Sequence, residues 1–396
     1  MLSSDPPPPS SRLAWLDALR GLGAIAVVIE HLNYSFLPEL RPRFMNLGIY
    51  GVMVFFLVSG YIIPASLERR GDVRAFWIGR VFRLYPLYLL SIVIVLAMLP
   101  LQGLRPNLDF FAHISMLMEV TGSYAMTEPM WTLSYEMVFY LLVTALFVAG
   151  AHRRSGLFAL LFALLSVLTP LAFPLFKRGL LTGPIPPIAA LVVVAIGLAC
   201  VLSGRRPARL AGAAILALTS LVLITIGSRV PWQGAMILAV MFTGTAIYRW
   251  EHRQGSGLWP VAGVAFLICL TPFLKPVTIN GPANLVTMAL AAATFALFMS
   301  LRHRRMPRVL AWLGLISYSV YLIHMPLTRL YLKIFGAPTG QPALIQALLL
   351  LTLITTICAA SWLTYRYVEL PMQRLGRRVA HRPPPAPAVV REPAEV

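Results

Sequence analysis

LAWLDALRGLGAIAVVIEHL, residues 13–32, is apolar enough and long enough for a membrane helix, yet it carries Asp17, Arg20, Glu30 and His31. About 20 residues at 1.5 Å per residue cross the hydrocarbon layer of a bilayer. From Arg20 to His31 is eleven positions. At 100° per residue this is about three turns plus 20°, so the two side chains point the same way, roughly 16 Å apart along the axis. Ionisable groups at membrane depth are costly and usually face a cavity, a relay or a substrate. The stretch therefore predicts a membrane helix that takes part in chemistry. Asp17, one turn before Arg20, can pair with it and lower the cost of burying the guanidinium. Glu30 lies about 100° off the shared face and is secondary.

The whole chain extends this reading. Its 396 residues are 58% hydrophobic and 12% charged, with a mean hydropathy of +0.77. A water-soluble fold this apolar lacks the polar surface to cover itself. The fold class is therefore all-α, a polytopic transmembrane helical bundle. The net charge of +19 raises nucleic acid as a partner, but the basic residues form short clusters between apolar runs. That is the pattern of cytoplasmic loops in a multi-pass protein of the cell membrane, and it argues against nucleic acid. Cys200, Cys269 and Cys358 each fall in an apolar run without a CxxC or a nearby His, so they read as small buried residues and no metal site is expected.

Apolar runs lie near residues 13–32, 48–67, 83–100, 132–150, 156–176, 185–203, 209–227, 231–249, 258–275, 283–301, 309–334 and 343–368. Ten to twelve spans is the expected range, since several runs are short or broken by Pro and Gly. Loops on one side hold Arg69, Arg70, Arg74, Arg80, Arg83, Arg153, Arg154, Arg205, Arg206 and Arg209. The same side continues with Arg249, Arg253, Arg302, Arg304, Arg305, Arg308, Arg374, Arg377 and Arg378. The opposite loops hold only Arg41, Arg43, Arg105, Lys177, Arg178, Arg229 and Lys275. Strict alternation under the positive-inside rule favours twelve spans with both termini cytoplasmic. Residues 1–12 lack the basic and small-residue features of a cleaved signal and read as a disordered tail. Residues 373–396, basic and Pro-rich, read as a second tail. One membrane domain, 13–372, without an internal repeat, is expected to hold the function.

Three further segments carry candidate chemistry. In FWIGRVFRLYPLYLL, Arg80 and Arg83 share a helical face; they either anchor the helix at the cytoplasmic edge or bind phosphate bidentately. In MWTLSYEMVFYLL, Glu136 sits just inside the outer boundary at a depth like that of His31. There a carboxylate is protonated, paired or catalytic. A free imidazole at His31 can take a proton from a hydroxyl, and Glu136 is positioned to polarise it. Trp131 and Tyr135 fit an interfacial aromatic belt, with Tyr135 also close to the pocket. Ser59 and Gly60 read as a close helix contact or a pocket wall. Ser317, Tyr321 and His324 share one face, either for hydrogen bonds between helices or to line an acceptor pocket.

Six stretches together resemble the acyltransferase family 3 membrane proteins. They are LDALRGLGAIAVVIEHL (16–32), VFFLVSGYI (54–62), WIGRVFRLYPLYLL (77–90), WTLSYEMVFYLL (131–142), LGLISYSVYLIH (313–324) and TYRYVELP (364–371). Residues 155–300 match only as apolar spans. The resemblance implies an integral-membrane O-acyltransferase that moves an acyl group, commonly acetyl, from cytoplasmic acyl-CoA to a hydroxyl of a carbohydrate-type acceptor on the outer side. The donor is then a co-substrate, with no permanently bound cofactor; a protein partner is left open. It implies His31 as base or acyl relay with Glu136, and Arg20, Arg80 and Arg83 as acyl-CoA ligands. Asp17, Ser59, Tyr135, Tyr321 and His324 are expected in supporting places. The family core usually has about ten helices, against the twelve that the charges favour. The competing reading is a secondary transporter or polyprenol-linked glycan exporter, using the same buried groups as a proton relay.

Overall fold

The computed structural model describes residues 13–36, 42–98, 109–172, 183–255, 257–270, 281–336 and 338–380. Among them there is no strand. The helices are α1 (Ala14–Ser35), α2 (Leu47–Arg70), α3 (Val73–Met98), α4 (Phe110–Ile114), α5 (Trp131–Val148), α6 (Ser155–Ala172) and α7 (Ile185–Leu202). They continue with α8 (Arg206–Val222), α9 (Pro231–Glu251), α10 (Trp259–Leu270), α11 (Gly281–Ser300), α12 (Arg308–Phe335), α13 (Ala343–Thr364) and α14 (Leu370–Ala380). Among the described residues, eight segments are long and apolar enough to cross a membrane: α2, α3, α5, α7, α8, α11, α12 and the run from α13 through α14. The remaining predicted runs correspond to α1, α6, α9 and α10. Buried polar groups such as Asp17, Glu30 and Arg249 lower the hydropathy of α1 and α9, whereas α10 has 12 residues and the apolar part of α6 runs only over Ser155–Thr169.

Two predicted boundaries move. The third run was expected from residue 83, but α3 starts at Val73, because Asp72 caps it by accepting from the backbone N–H groups of Arg74 (2.8 Å) and Ala75 (3.1 Å). Arg80 and Arg83 are thereby carried inside a helix. The C-terminal tail was expected from residue 373, yet α14 continues to Ala380 and lies along α3. Gly376 permits this: a Cβ there would fall 2.5 Å from Phe82 Cβ. Residues 1–12 and 381–396, and the loop residues Arg41, Arg105, Lys177, Arg178 and Lys275, lie outside the described residues.

Helix α1 runs between α2 and α12, and glycines set the spacing. A Cβ at Gly314 would fall 1.8 Å from the backbone oxygen of Asp17, and one at Gly60 would fall 1.8 Å from that of Met241. With no hydrophobic drive between helices in lipid, such close backbone approach supplies the dispersion that holds a bundle. The arginine-rich end is tied by ion pairs. Arg249 binds Glu68 and donates to the backbone oxygen of His152 (2.8 Å), while Glu251 takes Arg302 Nε (2.8 Å) and the Tyr61 hydroxyl. At the opposite end, Glu30 accepts from the Leu47 N–H (3.2 Å), bracing the start of α2.

Between α3 and α5 a compact segment covers that opposite end. Asp109 accepts from the Ala112 N–H (3.1 Å) and the Ser123 hydroxyl (2.8 Å). His113 Nε2 accepts from the Met126 N–H (3.2 Å), a bond that requires a neutral ring. Burial holds His113 below the ordinary histidine value, in keeping with that role. Glu119 faces Arg229 at 3.6 Å and is itself buried, which pushes it up to about 7 despite the guanidinium.

Two outcomes follow from this packing. Gly314→Ala forces α12 away from α1 and should destabilise the bundle by roughly 1–3 kcal/mol, read as a lower thermal midpoint of the solubilised protein. Glu119 binds its proton more tightly folded than unfolded. Its contribution is therefore full below the ordinary carboxylate value of 4.5 and is lost as pH rises through about 7. Glu119→Gln should flatten the fall in unfolding free energy between those two pH values, by at most about 3 kcal/mol. An unchanged slope in the variant would refute the assignment.

Candidate active site

Three helices, α1, α3 and α5, bring charged side chains onto one cavity. Arg20 from α1, Arg80 and Arg83 from α3, and Glu136 from α5 line a chamber of about 80 Å³, with Ser59 of α2 and Ser317, Tyr318 and Tyr321 of α12 completing its walls. Asp17 holds Arg20 at 3.6 Å, on the i, i+3 spacing. Arg80 donates to Ser66 Oγ (3.1 Å), and its guanidinium lies 5.2 Å and 5.3 Å from the ring centres of Phe76 and Tyr140. Glu136 accepts the Tyr140 hydroxyl one turn along α5. The chamber opens toward the arginine-rich end into a vestibule of about 970 Å³, which shares Arg20, Arg83, Ser317 and Tyr318 with it and adds Arg69, Arg302 and Glu369. Glu369 is placed there by a π-turn, Tyr365–Glu369, that re-aims the chain between α13 and α14, and it accepts the Ser319 hydroxyl.

The other end of the chamber is closed. The Tyr321 hydroxyl meets Thr132 Oγ1 at 2.7 Å, and the Phe55 ring stands edge-on to Tyr321 at 5.7 Å. Thr132 also donates to the Pro129 oxygen (3.1 Å), so its single proton is committed and Tyr321 is the donor in the pair. One turn beyond Tyr321 on α12 sits His324, and against it His31 of α1, Nε2 to Nδ1 at 3.2 Å. His324 Nδ1 lies 2.9 Å from the Val320 oxygen, and His31 Nδ1 lies 2.9 Å from the Val27 oxygen. A carbonyl can only accept, so this network puts a proton on Nδ1 of each ring. His31 Nε2 is left with its lone pair, 3.4 Å from Glu128 Oε2 at the end away from the arginines.

The expected residues therefore separate into two groups. Arg20, Asp17, Ser59, Arg80, Arg83, Glu136 and Tyr321 gather at the chamber or beside it; His31 and His324 form a pair past the Tyr321–Thr132 closure. Two expectations are corrected. Glu136 does not face His31: its turn of α5 points to the arginines, and Glu128 stands at His31 instead. Tyr135 neither joins an exposed belt nor lines the chamber. Adjacent to Glu136 but 100° round α5, it is 1% exposed and bonds Ser228 Oγ at 3.1 Å, where Gly234 leaves room for its ring. Glu128 and Glu369 carry no signal in the apolar runs, because one precedes the run 132–150 and the other follows the run 343–368. The EP dipeptide before MWTLSY, and a carboxylate within TYRYVELP, were the available signals.

A family model described as an acyltransferase domain matches residues 13–365. Acyltransferase MdmB of Streptomyces mycarofaciens is 29% identical, over 96% of this chain and 97% of that protein. A putative peptidoglycan O-acetyltransferase of Bacillus subtilis (strain 168), YrhL, is 24% identical over 92% of this chain and 55% of its own length. The peptidoglycan O-acetyltransferase OatA of Listeria monocytogenes is 24% identical over 91% of this chain and 56% of its own length. The chain spans about half the length of these last two relatives. No solved structure matches it. The exporter reading is set aside by these matches, which are to acyltransferases. The chain belongs to the acyltransferase domain family, as a multi-pass membrane O-acyltransferase.

Proposed function

We propose that the chain transfers an acetyl group from acetyl-CoA, arriving at the arginine-rich end, to a hydroxyl of a carbohydrate-type acceptor at the other end. The density of arginines assigns the first end to the cytoplasm. The observation that carries the reading is the His31 ring, held at Nδ1 by Val27 and His324 with Nε2 turned toward Glu128, one helical turn past a chamber lined by three arginines. The donor enters the vestibule, its phosphates engage the guanidinium groups, and its thin pantetheine arm passes Arg20 toward Tyr321. Relatives named as O-acetyltransferases support acetyl as the acyl group and a cell-surface glycan as the acceptor.

His31 Nε2 takes the proton of the acceptor hydroxyl as its oxygen attacks the thioester carbonyl carbon, and Glu128 supplies the opposite charge for the imidazolium that forms. Parting of Tyr321 from Thr132 frees the phenolic O–H for the developing oxyanion. Collapse of the tetrahedral intermediate breaks the carbon–sulfur bond. The proton on His31 goes to the departing thiolate, so the products are the acetyl ester and free CoA. His324 acts through His31, as a positioning residue.

In membrane vesicles given radiolabelled acetyl-CoA, His31→Asn should lower alkali-labile label on envelope glycans by about a hundredfold or more. Undiminished labelling would overturn the assignment. His324→Ala frees the imidazole of His31 to rotate and change tautomer. It should lower kcat with little change in KM for acetyl-CoA and distort the pH profile, while His324→Asn should recover part of the rate. Loss confined to KM would refute the positioning role.

A further inference from the structure

A second cavity branches from the arginine pair without opening on His31. It is a cleft of about 160 Å³ between the end of α2, the first turns of α3 and the face of α14, lined by Arg70, Arg80, Arg83 and Arg377 together with Ser66 and Gln373. Among the described residues no carboxylate lines it. Among the described residues none of the four arginines has an ion pair, and the nearby Asp72 is committed to the backbone N–H groups of Arg74 and Ala75. Four guanidinium groups around one small space repel each other unless an anion is present.

Two glycines line the cleft. Gly79 forms its floor, where an added Cβ would come within 3.5 Å of Arg70 Nη1, and Gly376 lets α14 approach Phe82 closely enough for Arg377 to close the far wall. Arg80 and Arg83 line this cleft and the chamber alike, so one extended molecule can occupy both. Acyl-CoA carries, remote from its thioester, a phosphate monoester on the ribose 3′ oxygen. At neutral pH a monoester holds between one and two negative charges, and guanidinium forks match its oxygens.

We propose that the Arg70–Arg80–Arg83–Arg377 cleft is a phosphate-monoester subsite that takes the 3′-phosphate of the acyl-CoA donor. The inference rests on acyl-CoA being the donor. It makes α14 part of the donor site, with Arg70 and Arg377 reading the nucleotide end while Arg20 lies along the path of the arm. An anionic lipid headgroup offers related chemistry. The continuity of the cleft with the chamber, and the lack of an aliphatic groove in its lining of Phe76, Gly79, Gly376 and Ala380, favour the donor.

The test is equilibrium binding of CoA and of 3′-dephospho-CoA to the full chain in nanodiscs of phosphatidylcholine, and again with phosphatidylglycerol. CoA should bind the wild-type chain at least about tenfold more tightly than dephospho-CoA. In Arg70→Gln/Arg377→Gln the ratio should fall below about threefold, and Gly79→Val, which crowds the floor, should lower it too. If CoA binds but the ratio is near one, or is the same in wild type and variants, the subsite is overturned and the donor reading stands. If the double variant loses only a dependence on phosphatidylglycerol, the cleft belongs to a lipid and the proposal is wrong. If neither nucleotide binds the wild-type chain in either lipid, donor reading and subsite fail together.

Discussion

Arginine at bilayer depth is the constraint around which this bundle is arranged. Each guanidinium held near the middle of a membrane costs about 2.5–3.5 kcal/mol on insertion scales, and here several come together. Of the three chamber arginines, among the described residues only Arg20 has a carboxylate in salt-bridge range, Asp17 at 3.6 Å; Arg80 makes do with a serine hydroxyl and two aromatic faces. The helices must therefore supply polar walls and a route to water at one end. The vestibule, the start of α3 at Asp72 and the return of α14 against α3 together do this. A site with surplus positive charge is also stabilised by whatever polyanion binds it, so donor occupancy and bundle stability are coupled by mass action.

The imidazole pair answers a different requirement. The base proposed for His31 needs one nitrogen free and a ring that cannot turn, and backbone carbonyls that no side-chain substitution removes, Val27 and Val320, hold the two rings. Helix geometry provides them: a histidine in a helix can reach the carbonyl one turn back without leaving its axis. Glycine-set spacing of α1 against α12 then fixes ring to ring, so the distance of 3.2 Å between His31 and His324 depends on Gly314 about three turns away. Packing and catalytic geometry are here one problem.

Much of this was legible in the sequence, and the misses share a cause. Arg80 and Arg83 share a face as their spacing implied, because helical periodicity fixes which residues share a face within one helix; that Arg20 of α1 meets them is a meeting of two helices. Which helices meet is not periodic information. Glu136 and His31 have similar depths, and depth alone paired them; the rotation of α5 gave Glu136 to the arginines and left Glu128, on a short turn before the helix, at the imidazole. Tyr135 was lost for the same reason, 100° away from Glu136 on the same helix. The extent of α14 was hidden by composition, since a basic amphipathic helix and a basic tail look alike until something is there to pack against, and Gly376 against Phe82 was that contact.

The separation between chamber and imidazole also has an energetic reading. The barrier between them is a neutral hydrogen bond, Tyr321 to Thr132, with one ring edge against it, worth on the order of 1 kcal/mol. A salt bridge at that position would resist an uncharged thioester, whereas an open channel would connect the water at both ends through the arginines and expose a bound donor to hydrolysis. A weak closure made of groups that also donate hydrogen bonds avoids both outcomes. It is too strong to stand open when the site is empty, and weak enough to yield to a carbonyl that offers Tyr321 an equivalent bond. Thr132 already has its own proton on Pro129, so the exchange leaves no hydroxyl without a partner. On the proposed reading the opening of this contact is then nearly neutral in hydrogen bonds, so the binding of donor phosphates far behind it would decide when it occurs.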